Sequence, residues 1–240
     1  MPPQICLKLL VFFATLLTTV GCGAPRRPVQ LTPPRPPVTA DEQGRHVWQL
    51  PAQIIDLLHI APGSRVADVG AGNGYLLPWL SRAVGPEGRV YALEIQPELL
   101  TELRQRVQRE GLGNVVVLAA SATESTLPDL VDRVVMLHSY RELTDPVTLL
   151  SALKLSLNPA GRMAVIEFLP PPDPTGQPIP LPPADRRLEP QTIEAEARGA
   201  GLVAVRHYAV LPHQYFGEFV PAEQLTPALD HAAAATPSTL

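Results

Sequence analysis

Between residues 45 and 220 the chain alternates short apolar runs with longer stretches in which apolar residues return every third or fourth place. Residues 66–69, 89–94, 114–118, 131–137 and 162–168 are of the first kind and predict buried strands. The second kind predicts helices over 50–60, with Ile54, Ile55, Leu57 and Leu58 on one face, and over 73–84, with Leu76, Leu77, Leu80 and Val84. It also predicts helices over 97–110, with Leu99, Leu100, Leu103 and Val107, and over 146–157 and 190–200. Pro51, Pro97 and Pro146 suit first helical turns, Asp145 is a good N-cap, and Gly111 and Gly201 end helices. Strands and helices alternating at this spacing predict a parallel sheet, and 202–210 with 214–219, joined through Leu211-Pro212-His213, predict a closing hairpin.

The flanks break this rhythm. Lys8 precedes an apolar run over 9–20, short of the roughly 20 residues a membrane-spanning helix needs but suited to the hydrophobic region of a secretory signal. Thr19-Val20-Gly21-Cys22-Gly23 resembles the bacterial lipoprotein cleavage box, with Thr19 where leucine is usual, so Cys22 is the expected lipidation site. A plain cleaved signal or an uncleaved anchor stays open beside it. Residues 24–40 hold six prolines and three arginines, a composition that favours an extended tether over a packed core. The expected layout is a signal over 1–22, a proline-rich linker over 23–40, one domain over 41–220 and a disordered tail over 221–240. The expected location is the cell envelope, membrane-anchored on the periplasmic side, or the cytoplasm if the signal does not function. Inside the domain, 169–183 carries eight prolines without periodicity, which reads as a lid or a surface insert.

Composition narrows the chemistry. A formal charge of −4 and no basic run longer than two residues disfavour a nucleic-acid partner. Both cysteines, Cys6 and Cys22, precede the domain, which therefore has no thiol nucleophile, disulfide or cysteine metal site; no metal is expected.

The candidate chemistry centres on Asp68-Val69-Gly70-Ala71-Gly72-Asn73-Gly74, where a strand ends in an acid and a glycine turn opens a helix. Such a turn brings backbone N–H groups to a ligand in the crevice beyond the strand's carboxyl end. A nicotinamide fingerprint would place its third glycine at Tyr75 and fits poorly. Glu94 closes the next strand, where a carboxylate can accept both hydroxyls of a ribose. The spacing acid-x-Gly-x-Gly-x-Gly, with Glu94 following, resembles class I S-adenosylmethionine-dependent methyltransferases, and the resemblance covers about residues 45 to 220. It implies a Rossmann-like seven-stranded α/β sheet, mostly parallel with a reversed last strand and helices on both faces.

That resemblance also implies site roles. Gly70, Ala71, Gly72 and Gly74 form the loop at the methionine end of S-adenosylmethionine, Asp68 orders it or meets the ammonium, and Glu94 takes the ribose. Ser121 stands where the family commonly has an acid for the adenine amino group, and Glu124 could compensate. At the end of the fourth strand, His138-Ser139-Tyr140-Arg141-Glu142 is the densest polar cluster of the domain. His138 is a candidate base, Tyr140 a group positioning the acceptor, and Arg141 a site for an anionic substituent. The expected function is methyl transfer to a small-molecule acceptor. The alternative is a methyltransferase-fold envelope protein without catalysis, favoured by the missing adenine acid and the export signal.

Overall fold

The computed structural model describes residues 40–121, 127–170, 181–183 and 186–225, all within one unit, 33–240. The expectations for the signal, Cys22, the linker and Glu124 lie outside the described residues, as do those for most of 169–183 and of the tail.

Seven strands form one sheet: β1 (Arg65–Val69), β2 (Arg89–Glu94), β3 (Val115–Ala119), β4 (Val131–Leu137), β5 (Leu157–Phe168), β6 (Leu202–His207) and β7 (Gln214–Pro221). Their order is β3-β2-β1-β4-β5-β7-β6. The first five run parallel, and β7 lies antiparallel to both β5 and β6. The order reverses beside β1, so the ends of β1 and β4 border the crevice where doubly wound sheets bind ligands.

Among the described residues the α-helices are α1 (Ala40–Gln49), α2 (Pro51–Leu57), α3 (Leu77–Val84), α4 (Pro97–Arg109), α5 (Pro146–Leu155) and α6 (Pro190–Gly199). Period-two alternation along the strands sends side chains to two separate cores. Val66, Val90 and Ala92 pack with Ile54 of α2, Leu77, Leu80 and Val84 of α3 and Leu103 of α4. Ala67, Val69 and Leu93 pack with Leu149, Leu150 and Leu153 of α5 and with Ile193 and Ala197 of α6. Asp145 caps α5 by accepting the Thr148 N–H at 3.1 Å.

Several boundaries differ from the pattern, among them the start of β5 at Leu157 where a strand was expected from 162. The segment expected to lead into one helix over 50–60 is itself helical as α1, and Leu50, at φ 48°, breaks the chain between α1 and α2. The helix expected from Asn73 begins at Leu77, because Gly72 and Gly74 take left-handed φ values of 57° and 81° that no helix admits. The strand expected over 202–210 stops at His207.

Candidate active site

The glycine turn is built by pinning rather than by helix. Gly70 and Ala71 both donate N–H bonds to Leu93 O at 2.9 Å, Gly74 donates to Ala71 O at 2.8 Å, and Leu77 to Gly74 O at 3.0 Å. The loop is thereby fastened to the end of β2. Gly70, at φ 73°, is also required by space: a Cβ there would stand 2.4 Å from Ser139 Cβ. Ser139 in turn donates its hydroxyl to Val69 O at 2.6 Å, tying the end of β4 to that of β1. A Cβ on Gly72 would meet nothing within 4 Å among the described residues, and Gly72 lines the cavity beside the turn.

Beside this turn lies a cavity of about 400 Å³ lined by Arg45 and Trp48 of α1, by Asp68 and residues of the turn, and by Leu137, His138, Arg141 and Phe168. A larger hollow of about 540 Å³ lies between the C-terminal ends of α3 and α4. There the Asn114 amide is engaged in holding Ser81 and Gly85, and no residue of the expected chemistry lines it.

Asp68 is 3% exposed. Burial pushes its carboxyl up to about 7, with Arg45 pulling down and Glu94 adding to the rise. Burial likewise lowers the Arg45 guanidinium, which lies 3.8 Å from the centre of the Tyr75 ring. The Glu94 carboxylate accepts the N–H of Gly72, Ile95 and Gln96 at 2.8, 2.8 and 3.0 Å. Three N–H donors on one carboxylate fix its plane before any ligand arrives. Ser121 follows β3, one residue beyond Ala120, whose N–H donates to Glu94 O at 2.8 Å; it is half-buried and does not line the cavity.

Of the fourth-strand cluster, His138 and Arg141 line the cavity and Tyr140 does not. His138 Nε2 lies 2.8 Å from Gln214 Oε1, and its ring stacks on Phe168 at 4.1 Å. Burial pulls the imidazole down to about 3, against the Gln214 bond and with help from Arg45 and Arg141. It therefore stays neutral at pH 7, a weaker base than the general-base reading requires. Arg141 donates Nη1 to Glu167 Oε2 at 3.1 Å. Glu167 is fully buried, and burial raises its carboxyl against that guanidinium. The placement of Tyr140 differs from the expected acceptor-facing role: its ring is in the core with α5 and α6, and its hydroxyl donates to Glu196 Oε2 at 2.8 Å. Core side chains line the face its ring was free to take, and Glu196 of α6 offers the phenol an acceptor there.

Sequence reasoning missed the contribution of α1. Glu42, Arg45, His46 and Gln49 recur at helical spacing, but because they are polar an apolar-periodicity reading passes over them. Arg106 of α4 pairs with Glu42 at 2.7 Å and donates to Asn73 O at 3.1 Å, which links α1 to the glycine turn.

A parallel sheet closed by an antiparallel β7, with a glycine turn after β1 and an acid closing β2, is a fold shared with solved S-adenosylmethionine-dependent methyltransferases. Comparison with known proteins agrees. Residues 66–161 match the family described as "Methyltransferase domain". The ubiquinone/menaquinone biosynthesis C-methyltransferase UbiE of Teredinibacter turnerae is 35% identical over 116 residues, 48% of this chain and 47% of that protein. The chain thus spans about half the length of the curated relatives it matches. A SAM-dependent methyltransferase from Aquifex aeolicus is 29% identical, with a TM-score of 0.65 over 70% of this chain and 88% of that one. The glycopeptide N-methyltransferase MtfA, solved with S-adenosylmethionine, shares the fold at 17% identity, with a TM-score of 0.58 over 71% of this chain and 92% of that one.

Proposed function

We propose that the chain is an S-adenosylmethionine-dependent methyltransferase acting on a small molecule. The observation that carries this is the Glu94 carboxylate, held by three backbone N–H groups and bonded to the glycine turn it faces. The cavity suits the cofactor chemically. Asp68 is a buried acid that gains from a cation, Arg45 Nε and the Tyr75 hydroxyl are buried polar atoms without partners among the described residues, and no described residue comes within 4 Å of a Cβ on Gly72.

In this reading Gly70, Ala71, Gly72 and Gly74 hold the methionine end by backbone. Asp68 meets the α-ammonium and Arg45, which lines the same cavity, meets the α-carboxylate; an amino-acid end needs one group of each sign. Glu94 accepts the ribose hydroxyls, and Ser121 borders the adenine. When bound there, S-adenosylmethionine supplies an electrophilic sulfonium methyl, taken by a nucleophile as the carbon–sulfur bond breaks. The protein's share is alignment and exclusion of water. Trp48, Leu137 and Phe168 give the acceptor side an apolar lining, His138 offers it a neutral nitrogen, and Arg141 keeps donors for an anionic substituent. The C-methylation named for the UbiE relatives is not carried over, because under half of either chain is shared.

Calorimetric titration of S-adenosylmethionine, and separately NADH, into the full chain tests the reading. Micromolar binding of the former alone, lost in Glu94→Ala, is expected. Absence of binding, or equal binding to the folded variant, overturns it. The envelope location belongs to the same proposal and rests on the apolar run 9–20 and Cys22; labelling with radioactive palmitate should mark the wild type and not Cys22→Ala.

A further inference from the structure

His138 sits at a point of backbone strain. Its φ of 60° lies in the left-handed region, which is strained for a residue with a Cβ, and such strain clusters at functional sites. The turn re-aims the side chain just as β4 ends, while the His138 N–H still donates to Ile166 O at 2.9 Å. The ring lies stacked on Phe168 and near-parallel to Trp48, at an interplanar angle of 13°.

Two buried glutamines from opposite ends of the domain meet at this ring. Gln214 Oε1 lies 2.8 Å from His138 Nε2 and accepts the Nε2 amide of Gln49, also at 2.8 Å. The Gln214 amide nitrogen donates to Pro212 O at 3.4 Å. Turning the Gln214 amide over alone would set its oxygen against the Pro212 carbonyl and its NH₂ against the NH₂ of Gln49. With both amides oriented this way, the Gln214 carbonyl oxygen only accepts, so His138 Nε2 bears the hydrogen and Nδ1 the lone pair. The arrangement is costly: Gln49 is fully buried and its Oε1 has no partner among the described residues, a loss that apolar side chains there would avoid.

We infer that Gln214, steadied by Gln49, is a positioning residue: it holds His138 as the Nε2–H tautomer so that Nδ1 accepts a hydrogen bond from the O–H or N–H of the methyl acceptor. That bond turns the acceptor's own lone pair toward the cofactor end of the cavity. The part concerning the acceptor rests on the proposed function, whereas the tautomer does not. Because burial keeps the imidazole neutral, the ring first orients the nucleophile. As the carbon–sulfur bond breaks and the new bond to the acceptor forms, the acceptor atom turns strongly acidic and its proton leaves along the same hydrogen bond through Nδ1 to solvent. The aromatic lining suits a hydroxylated ring.

The test uses the full chain labelled with ¹⁵N-histidine, with the His138 signals assigned by their loss in His138→Asn. Two-bond ¹⁵N–¹H spectra should show a neutral Nε2–H ring from pH 8 down to 5. Phenol, added with S-adenosylhomocysteine, should shift the Nδ1 resonance, and anisole, similar in shape but without the hydroxyl, should not. Gln214→Leu should mix the tautomers and abolish the phenol-specific shift. Gln214→Glu, whose carboxylate also only accepts, should restore the Nε2–H form and raise the pH at which the ring protonates, which covers a Leu variant that fails to fold. An Nδ1–H ring in the wild type, a tautomer unchanged in Gln214→Leu, or equal responses to phenol and anisole overturns the inference. A failed S-adenosylmethionine titration beside the expected spectra would count against the proposed function instead.

Discussion

Glu94 and Gly72, 22 residues apart, are joined by a 2.8 Å hydrogen bond from the Gly72 N–H to the carboxylate, so the acid at the end of β2 holds the turn at the end of β1. The other carboxylate oxygen takes the N–H groups of Ile95 and Gln96. All three partners are donors, which makes the isosteric change Glu94→Gln a severe one. Whichever way the glutamine amide turns, its NH₂ faces a backbone N–H and at least one donor loses its acceptor, at about 1–3 kcal/mol. Chemical denaturation of the cofactor-free chain should show that loss, and calorimetry should show weaker S-adenosylmethionine binding. Wild-type affinity in Glu94→Gln would remove Glu94 from the ribose.

Asp68 gives the site a pH dependence of definite sign. Its carboxyl rises from an ordinary 3.8 to about 7 through burial, so between those values the native chain holds a proton that the unfolded chain has released. The stability it contributes is complete below about pH 4, declines as pH climbs to 7, and is level above that. Asp68→Asn should flatten this decline in denaturation curves taken from pH 4 to 8. Cofactor affinity should run the opposite way, because only the ionised acid attracts an ammonium. It should strengthen as pH rises through 7 in the wild type and lose this dependence in Asp68→Asn.

The strands, the sheet direction and the glycine turn were legible because each rests on local rules: apolar runs for buried strands, and glycine where left-handed backbone is needed. Glu94 was legible because its position follows from β2 ending where the apolar run ends. The rest of the cavity was not, since it depends on pairs distant in sequence. Gln49 and Gln214 are 165 residues apart, and no window-based pattern relates them. Gly70 and Ser139 interlock through steric fit alone. The direction of the Tyr140 ring was equally hidden, because it depends on where α6 places Glu196.

The helix that sequence patterning overlooked is joined to α4 by a buried ion pair. The Arg106 and Glu42 side chains are 7% and 9% exposed and lie 2.7 Å apart, and Arg106 also packs its Cδ 3.2 Å from where a Gly74 Cβ would stand. Removing one member of a buried pair strands the other charge, at about 3–5 kcal/mol. Arg106→Met is therefore expected to lose stability on that scale and to speed hydrogen exchange over 40–49 and at the glycine turn. Glu42→Gln should be milder, because Arg106 retains Glu110 at 2.8 Å and the Asn73 carbonyl. Equal exchange in α1 for wild type and Arg106→Met would show that the pair does not hold the helix.

Tyr140 separates a structural from a catalytic role by a wide margin. Its hydroxyl donates to a carboxylate on α6 and its ring is 2% exposed within the core, so Tyr140→Phe removes one charge-assisted hydrogen bond, worth about 1.5–3 kcal/mol. A phenol taking part in proton transfer would instead contribute about 10²–10⁴ in rate. Transfer of a radioactive methyl group from S-adenosylmethionine to a small-molecule extract should change less than about twofold in Tyr140→Phe, below the effect of any group that moves a proton. His138→Asn should lower the same signal far more. A hundredfold drop in a Tyr140→Phe chain that still binds cofactor would mean that the ring leaves the core to meet the acceptor, and the apolar packing around it would then have to be a resting state.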